Sequence, residues 1–247
     1  MYTYTSRIRY SELDQSGRLS LFSLINYFQD CSTFHSEDIG LGIQYLIDQG
    51  LVWVMSAWQI VVERFPVLGE DVVIGTSPYG FGSVLGYRNF LLTTAAGEQL
   101  ACANSIYTLL DLAKGRPTRP TPEMHSGYVL SEKLPMDYAD RKISVPAGGL
   151  LLAPIEVKPF HLDTNMHVNN GQYINIAVSL LAEQQADDKK SMGNIRQMRA
   201  EYKKAAVLGD IMHPSLIMTD NAEIISLCDA AGAPYCIVEI KRRLSDA

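Results

Sequence analysis

Three side chains that can activate water lie close together in residues 161–173. Asp163, Asn165 and His167 occupy positions i, i+2 and i+4, and in an extended segment that spacing puts all three on one face. A carboxylate, an amide and an imidazole on one face can orient a water, accept its proton and stabilise an oxyanion. The spacing therefore predicts Asp163, Asn165 and His167 as the catalytic residues of a hydrolytic site without a side-chain nucleophile.

A helix is predicted to begin directly after these residues. Apolar side chains recur there at helical spacing: Tyr173, Ile174, Ile176, Ala177, Leu180 and Leu181. The first N–H groups of a helix have no acceptor within it and favour negative charge nearby. We therefore predict the backbone N–H groups of Val168, Asn169 and Asn170 as donors to an oxyanion.

Two other interpretations fit the same residues. Asp and Asn are common in turns and at helix N-caps, which would give Asp163 and Asn165 a purely structural role. His161, Asp163 and His167 are alternative metal ligands, but the flanking residues supply no clear fourth ligand. The sequence therefore predicts no metal and no cofactor, and the structural role stays open beside the catalytic one.

Composition and charge limit the classes of partner. The 247 residues are 47% hydrophobic and 19% charged, which is typical of a compact folded chain with one large domain or two smaller ones. A net charge of −6 argues against nucleic acid as a partner, because phosphate binding needs a basic surface. An acidic partner would need a local basic patch. Two clusters could supply it: Lys114, Arg116 and Arg119, or Arg199, Lys203 and Lys204.

The sequence also carries no sign of export or of a disulfide framework. The four cysteines show neither close pairing nor metal-ligand spacing, so we expect reduced thiols. No apolar run reaches the roughly 18 residues of a membrane span, and residues 1–7 lack an apolar signal core. We therefore predict a cytoplasmic protein with no membrane span.

Three landmarks occur twice in the same order, which indicates an internal duplication. Asp14, Leu19 and Leu24-Ile25 resemble Asp163, Val168 and Tyr173-Ile174; residues 67–70 resemble 207–210; and residues 95–97 resemble 230–232. The spacing between the copies shortens along the chain, as shorter loops in the second copy would produce.

Each copy has the pattern of one long helix followed by antiparallel strands. The predicted helices are 20–39 and 170–187. The predicted strands are 3–10, 53–64, 71–79, 86–94, 98–111, 156–160, 197–204, 211–219, 222–229 and 234–243. The sequence thus predicts an α+β fold of two tandem domains, residues 1–125 and 150–247, joined by a proline-rich linker at 126–149.

The chain resembles the bacterial acyl-acyl carrier protein (acyl-ACP) thioesterases over nearly its whole length. The matching motifs of the first copy are residues 24–30, His35, 53–56, 62–66, 69–70 and 116–120. The most specific motif is Asp-Thr-Asn-Met-His-Val-Asn-Asn at 163–170 in the second copy. The resemblance implies two tandem hotdog domains, each a long helix wrapped by an antiparallel sheet. It also implies hydrolysis of the thioester between a fatty acyl chain and the phosphopantetheine arm of ACP, in fatty acid biosynthesis.

The resemblance further implies that the first hotdog supplies most of the acyl pocket and the second supplies the catalytic residues. Ser16 and Arg18 stand in the first copy where Asn165 and His167 stand in the second, so we expect one active site per chain. His167 is then the general base, and Asn165 positions the thioester carbonyl or the water. Asp163 orients a catalytic side chain or polarises the water.

One motif departs from the related plant enzymes, which carry Glu-Tyr-Arg-Arg-Glu-Cys, with a catalytic role assigned to the later Glu. Residues 201–206 here are Glu-Tyr-Lys-Lys-Ala-Ala, so that carboxylate and the Cys are absent. Glu201 is a candidate auxiliary carboxylate if its side chain points inward from its strand.

Two rival functions and the oligomeric state stay open at this point. A hotdog thioesterase acting on acyl-CoA would use the same three residues and differ in its docking surface. A non-catalytic acyl-binding module would be expected to have lost them. One chain already holds two hotdogs, so both a monomer and a homodimer are compatible with the sequence.

Overall fold

A computed structural model describes residues 1–184 and 194–243. The first copy contains these elements: β1 (Tyr2–Arg7), α1 (Leu21–Asp38), α2 (Ile43–Asp48), β2 (Leu51–Val62), β3 (Asp71–Phe81), β4 (Leu85–Thr94), β5 (Gln99–Asp111), β6 (Arg116–Pro117) and α3 (Pro122–Gly127). The second contains these: β7 (Leu150–Leu151), β8 (Ile155–Glu156), α4 (Asn170–Gln184), β9 (Ile195–Tyr202), β10 (Ile211–Met218), β11 (Glu223–Cys228) and β12 (Pro234–Arg242). The α+β prediction is confirmed. The end of the predicted helix 170–187 lies outside the described residues.

The strands of both copies form one antiparallel sheet in the order β1-β3-β4-β5-β2-β9-β12-β11-β10-β7. The two halves join edge to edge through β2 and β9, with Ala57 opposite Glu201 and Val61 opposite Gln197. This pairing removes an exposed edge from each half, because each strand's backbone groups are satisfied by its neighbour. Short 3₁₀ turns precede the two long helices, at Tyr10–Glu12 and Pro159–His161, and replace the ends of the predicted strands 3–10 and 156–160.

The two long helices pack on the same face of this sheet and share one hydrophobic core. The buried side chains of α1 include Leu24, Ile25 and Phe28, which recur at the spacing of one helix face. The ring centroid of Phe28 lies 5.2 Å from that of Phe90 on β4, and the centroid of Phe90 lies 4.9 Å from that of Trp58 on β2. The core side chains of α4 belong to the same cluster. Both helices are therefore held by the apolar side chains that the periodicity predicts.

The segment between the copies, residues 128–149, lies as a strap across the opposite face of the sheet. Buried amides on that face bind its backbone: Asn89 Oδ1 accepts from Leu134 N (3.1 Å), and Gln59 Oε1 accepts from Ala139 N (2.9 Å). Buried amides in a sheet need such partners, because an unpaired polar group away from water is costly. The strap thus explains why this face carries buried polar side chains.

Two further findings concern the cysteines and the helices. All four cysteines are free, and Cys31, Cys102 and Cys236 are buried; burial raises the pKa of the Cys31 thiol to about 12. In residues 1–184 and 194–243, no helix has both the length and the apolar character that a membrane crossing requires.

His35 on α1 is packed in a way that makes stability depend on pH. Its ring stacks on Tyr2 at 5.2 Å, and Nδ1 lies 3.0 Å from Arg88 Nη1. Burial, and then the Arg88 charge, lower the pKa of His35 to about 4. The unfolded chain binds this proton near pH 6.5 and the folded chain does not, so the free energy of unfolding falls as pH drops from about 6.5 to 4.

We therefore expect His35→Gln to flatten the loss of thermal stability between pH 7 and pH 4, because glutamine has no proton to take up. Thermal unfolding of both proteins across this range measures the effect. Parallel pH profiles for the two would contradict the assignment.

Candidate active site

Asp163, Asn165 and His167 lie on a tight turn between the 3₁₀ turn and α4, not on an extended strand. Asp163 N donates to His167 O (2.8 Å), and Met166 N donates to Asp163 O (3.1 Å). The Asp163 carboxylate points into this turn: Oδ1 accepts from Asn165 N (2.8 Å) and His167 N (3.4 Å). The side chains of Asn165 and His167 are exposed. The prediction of an extended segment with three side chains on one face is therefore wrong, because the chain reverses here.

The first copy forms the same turn without the imidazole. Asp14 N donates to Arg18 O (2.8 Å), and Asp14 Oδ1 accepts from Ser16 N (2.8 Å) and Arg18 N (3.4 Å). The turn-forming role of the aspartate is thus shared by both copies. Asn165 and His167 are the members that the second copy alone possesses, which makes their side chains the candidates for chemistry.

Met166 has a left-handed backbone, which sequence spacing did not reveal. Its φ is 61°, and the equivalent Gly17 has a φ of 74°. A side chain in this conformation costs about 1 kcal/mol or more relative to glycine. The glycine in the first copy, three residues after Asp14, was the available signal for a turn at this position.

Of the three predicted oxyanion donors, two already have acceptors. Val168 N donates to Ala206 O (2.9 Å), and Asn169 N donates to His161 O (2.9 Å). Both bonds hold the turn against its neighbours, so neither N–H points to a substrate in this conformation. Within the described chain no hydrogen bond is formed by the N–H of Asn170, the first residue of α4. Asn170 stays the candidate donor of the three.

The start of α4 is positioned by both copies. The Asn169 side chain caps the helix by accepting from Gly171 N (2.8 Å). Asn170 O accepts from the Tyr202 hydroxyl (2.9 Å), and Asn170 Nδ2 donates to Gln29 Oε1 on α1 (3.4 Å). A Cβ on Gly171 would meet the Phe22 ring of α1 at 3.0 Å, so glycine permits the close approach of the two helices. The first hotdog therefore borders the candidate site.

The loop between β9 and β10 is held beside the site by a contact that differs between the copies. His167 forms a β-bridge with Val207, and the preceding residue, the buried Ala206, donates its N–H to the Tyr173 hydroxyl (2.8 Å). The equivalent residues of the first copy are Pro66, which has no N–H, and Leu24. The tyrosine thus satisfies a donor that the first copy lacks.

We expect Tyr173→Phe to lower the free energy of unfolding by about 1–3 kcal/mol, because it leaves the buried Ala206 N–H without an acceptor. The double variant Tyr173→Phe/Ala206→Pro removes that N–H, as in the first copy, and should recover most of the loss. Urea unfolding of both variants measures this. A double variant less stable than Tyr173→Phe alone would show that the hydrogen bond does not carry the effect.

Glu201 lies on the other face of the sheet from α4. It neighbours Tyr202 on β9, and successive side chains of a strand point to opposite faces; Tyr202 reaches Asn170, so Glu201 points away. The residue is 4% exposed, and its carboxylate accepts from Ile143 N of the strap (3.0 Å) and pairs with Lys203. The inward orientation on which its auxiliary role depended is absent, so we leave Glu201 out of the mechanism.

The alternative metal interpretation has no geometric support. His161 is buried and its Nδ1 accepts from Lys158 N (3.0 Å), while burial lowers its pKa. No group of three His, Cys, Asp or Glu side chains in the described ranges is arranged to hold a metal ion. His161 thus belongs to the local packing of the 3₁₀ turn.

Comparison with protein families assigns both halves of the chain. The family model of the acyl-ACP thioesterase N-terminal domain matches residues 1–128, and that of the acyl-ACP thioesterase C-terminal domain matches residues 151–228. This chain belongs to the acyl-ACP thioesterase family. Within it, the turn with His167 lies in the C-terminal family domain and the turn with Asp14 in the N-terminal one.

Curated relatives of this acyl-ACP thioesterase family member are plant proteins. A chloroplastic acyl-(acyl-carrier-protein) hydrolase of Cuphea viscosissima is 25% identical over 222 residues, covering 84% of this chain and 54% of that protein. A palmitoyl-acyl carrier protein thioesterase of Gossypium hirsutum is 24% identical over 187 residues, covering 70% of this chain and 45% of that protein. The chain thus spans about half the length of the curated relatives it matches.

Solved acyl-ACP thioesterases share the fold over nearly the whole chain. An acyl-ACP thioesterase from Bacteroides thetaiotaomicron has a TM-score of 0.87 at 21% identity, covering 98% of this chain and 97% of that one. The 12:0-ACP thioesterase from Umbellularia californica has a TM-score of 0.83 at 19% identity, covering 98% and 96%. These likenesses confirm the predicted pair of hotdog folds.

Proposed function

We propose that this chain hydrolyses the thioester of fatty acyl-ACP, releasing a free fatty acid and ACP in fatty acid biosynthesis. The observation that carries the proposal is that Asn165 and His167 occur on one of two otherwise equivalent turns, beside the first residue of α4, in a member of this family. The turn itself requires neither side chain, because the first copy forms it with Ser16 and Arg18 in their places.

The chemistry follows from the groups at this turn. The His167 imidazole accepts a proton from water as the water oxygen attacks the thioester carbonyl carbon. The negative charge that develops on the carbonyl oxygen is stabilised by the Asn165 amide and the Asn170 N–H at the start of α4. The carbon–sulfur bond then breaks, and the phosphopantetheine thiolate takes the proton from His167. Asp163 is a positioning residue, since its carboxylate holds the N–H groups of Asn165 and His167.

Charge and topology support the remaining parts of the proposal. The net charge of −6 disfavours nucleic acid as a partner. We propose that the chain acts in the cytoplasm, on the phosphopantetheine-linked acyl chain of ACP. One chain supplies both hotdogs, so a monomer has a complete site. A homodimer is the alternative that a sedimentation measurement would detect.

The test is release of free fatty acid from a series of acyl-ACPs and the matching acyl-CoAs. We expect a higher kcat/KM for acyl-ACP than for acyl-CoA at every chain length that reacts. A preference for acyl-CoA would assign the chain to acyl-CoA hydrolysis. Binding of acyl groups without release from either carrier would make it a non-catalytic acyl-binding module.

A further inference from the structure

A groove of about 320 Å³ at the end of β5 is lined by cationic side chains. Its lining includes Lys114, Arg116 and Arg119, with Asp111 as the carboxylate. Lys114 Nζ contacts Asp111 Oδ2 at 2.6 Å, which neutralises that pair. Arg116 and Arg119 are exposed, and across residues 1–184 and 194–243 no carboxylate lies within ion-pairing distance of either. Two positive charges are therefore left uncompensated on a chain of net charge −6.

The other basic cluster of the sequence is already neutralised within the fold. Arg199 pairs with Glu239 (3.1 Å), Lys203 with Glu201, and Lys204 with Asp229 (2.6 Å). Arg199 and Lys204 join neighbouring parts of the sheet, and Lys203 pairs within the end of β9, so none of the three charges is left uncompensated. The two basic clusters are equally good candidates by sequence, and the structure distinguishes them by their ion pairs.

The uncompensated arginines lie at the same end of the sheet as the candidate active site. β2 begins at Leu51, which lies opposite Asp111 at the end of β5, and Arg116 lies opposite Asp111 in the β5–β6 ladder. β9 runs antiparallel to β2 and ends opposite its middle, with Glu201 opposite Ala57, so the chain after Tyr202 leaves the sheet in the direction of the end where β2 begins. That exit leads to Val207, the bridge partner of His167.

We propose that Arg116 and Arg119 form the docking surface for an acidic face of the carrier protein; this inference rests on the proposed function. An acidic partner is repelled by the net charge of the chain, so its approach needs a local surface of opposite sign. The acyl chain is attached to the carrier protein by the phosphopantetheine arm. The carrier protein must therefore dock at the same end of the sheet as His167, at a distance that the arm can span. Arg116 and Arg119 meet both conditions.

The test compares two double variants with equal change of charge. Arg116→Ser/Arg119→Ser removes the proposed surface. Arg7→Ser/Arg9→Ser is the control, because Arg7 lies opposite Asp71 at the start of β3, at the opposite end of the sheet. Both control arginines already have a carboxylate nearby, Arg7 with Asp71 (3.9 Å) and Arg9 with Glu12 (3.6 Å). For acyl-ACP at low ionic strength we expect about a tenfold fall in kcat/KM in the first variant, with kcat unchanged and the control within twofold of wild type. The deficit should shrink as salt screens the contact, and acyl-CoA hydrolysis should be unaffected.

Three outcomes would overturn the docking surface while leaving the proposed function intact. They are an unchanged KM for acyl-ACP, an equal loss in the control, or an equal loss with acyl-CoA, which would indicate a site for the phosphate of the arm. If wild type releases no fatty acid from acyl-ACP, the proposed function fails. Fluorescence anisotropy of labelled carrier protein then decides docking separately: weaker binding to Arg116→Ser/Arg119→Ser alone supports it, and equal binding to both variants overturns it.

Discussion

His167→Ala is expected to lower kcat for acyl-ACP hydrolysis by about 10²–10⁴-fold, the range for loss of a general base. The imidazole is exposed at the turn and its backbone is fixed by Asp163 and Val207, so the substitution removes the base and leaves the turn in place. The thermal unfolding midpoint should therefore stay close to that of wild type. The measurement is steady-state release of fatty acid at saturating acyl-ACP.

The duplication supplies a matched control for this variant. Arg18 occupies the position of His167 in the first copy, with the same backbone hydrogen bond to an aspartate. Arg18→Ala should leave kcat within twofold of wild type, because that turn carries no base. A His167→Ala protein that retains wild-type kcat, or an Arg18→Ala protein that loses it, would contradict the assignment of the active site to the second copy.

Asp163→Ala is expected to lower kcat by about 10²-fold, because loss of the turn displaces His167. Asp14→Ala removes the same two backbone hydrogen bonds from the first copy, together with one from the Ser16 hydroxyl (2.6 Å). Both variants should lower the free energy of unfolding by about 1 kcal/mol, the usual cost of losing a capping side chain. Urea unfolding and kcat, measured on both, separate the shared structural effect from the effect on activity.

The conservative variant Asp163→Asn decides how the carboxylate acts. An amide oxygen still accepts from the N–H groups of Asn165 and His167, so the turn and most of kcat should be retained if Asp163 only positions its neighbours. A loss as large as that of Asp163→Ala, with unchanged stability, would show that the negative charge itself takes part in the reaction.

The regular elements followed from periodicity, and the geometry of the site did not. The helix predicted at 20–39 is observed at Leu21–Asp38, and the strand predicted at 71–79 is observed at Asp71–Phe81, because long apolar repeats are unambiguous. The i, i+2, i+4 spacing of the three polar residues fits both a strand and a turn. Gly17, at the equivalent position of the first copy, favours the turn, because glycine readily adopts the positive φ that this turn has.

Sequence patterns do not predict which distant segments of the chain contact each other. The orientation of Glu201 could not be inferred, because the strap covers the outer face of the sheet there, so that Glu201 on that face and Ala200 on the other are both buried. The short helix α3 carries a signal in Thr121-Pro122, whose threonine caps it by accepting from Met124 N (3.2 Å). Six residues are too few to show a helical period.

The measurement that tests the central claim most directly is release of free fatty acid from acyl-ACP by wild type, His167→Ala and Arg18→Ala under the same conditions. The predicted result is rapid release by wild type and Arg18→Ala, and release by His167→Ala that is lower by at least two orders of magnitude. Equal release by wild type and His167→Ala would contradict the account.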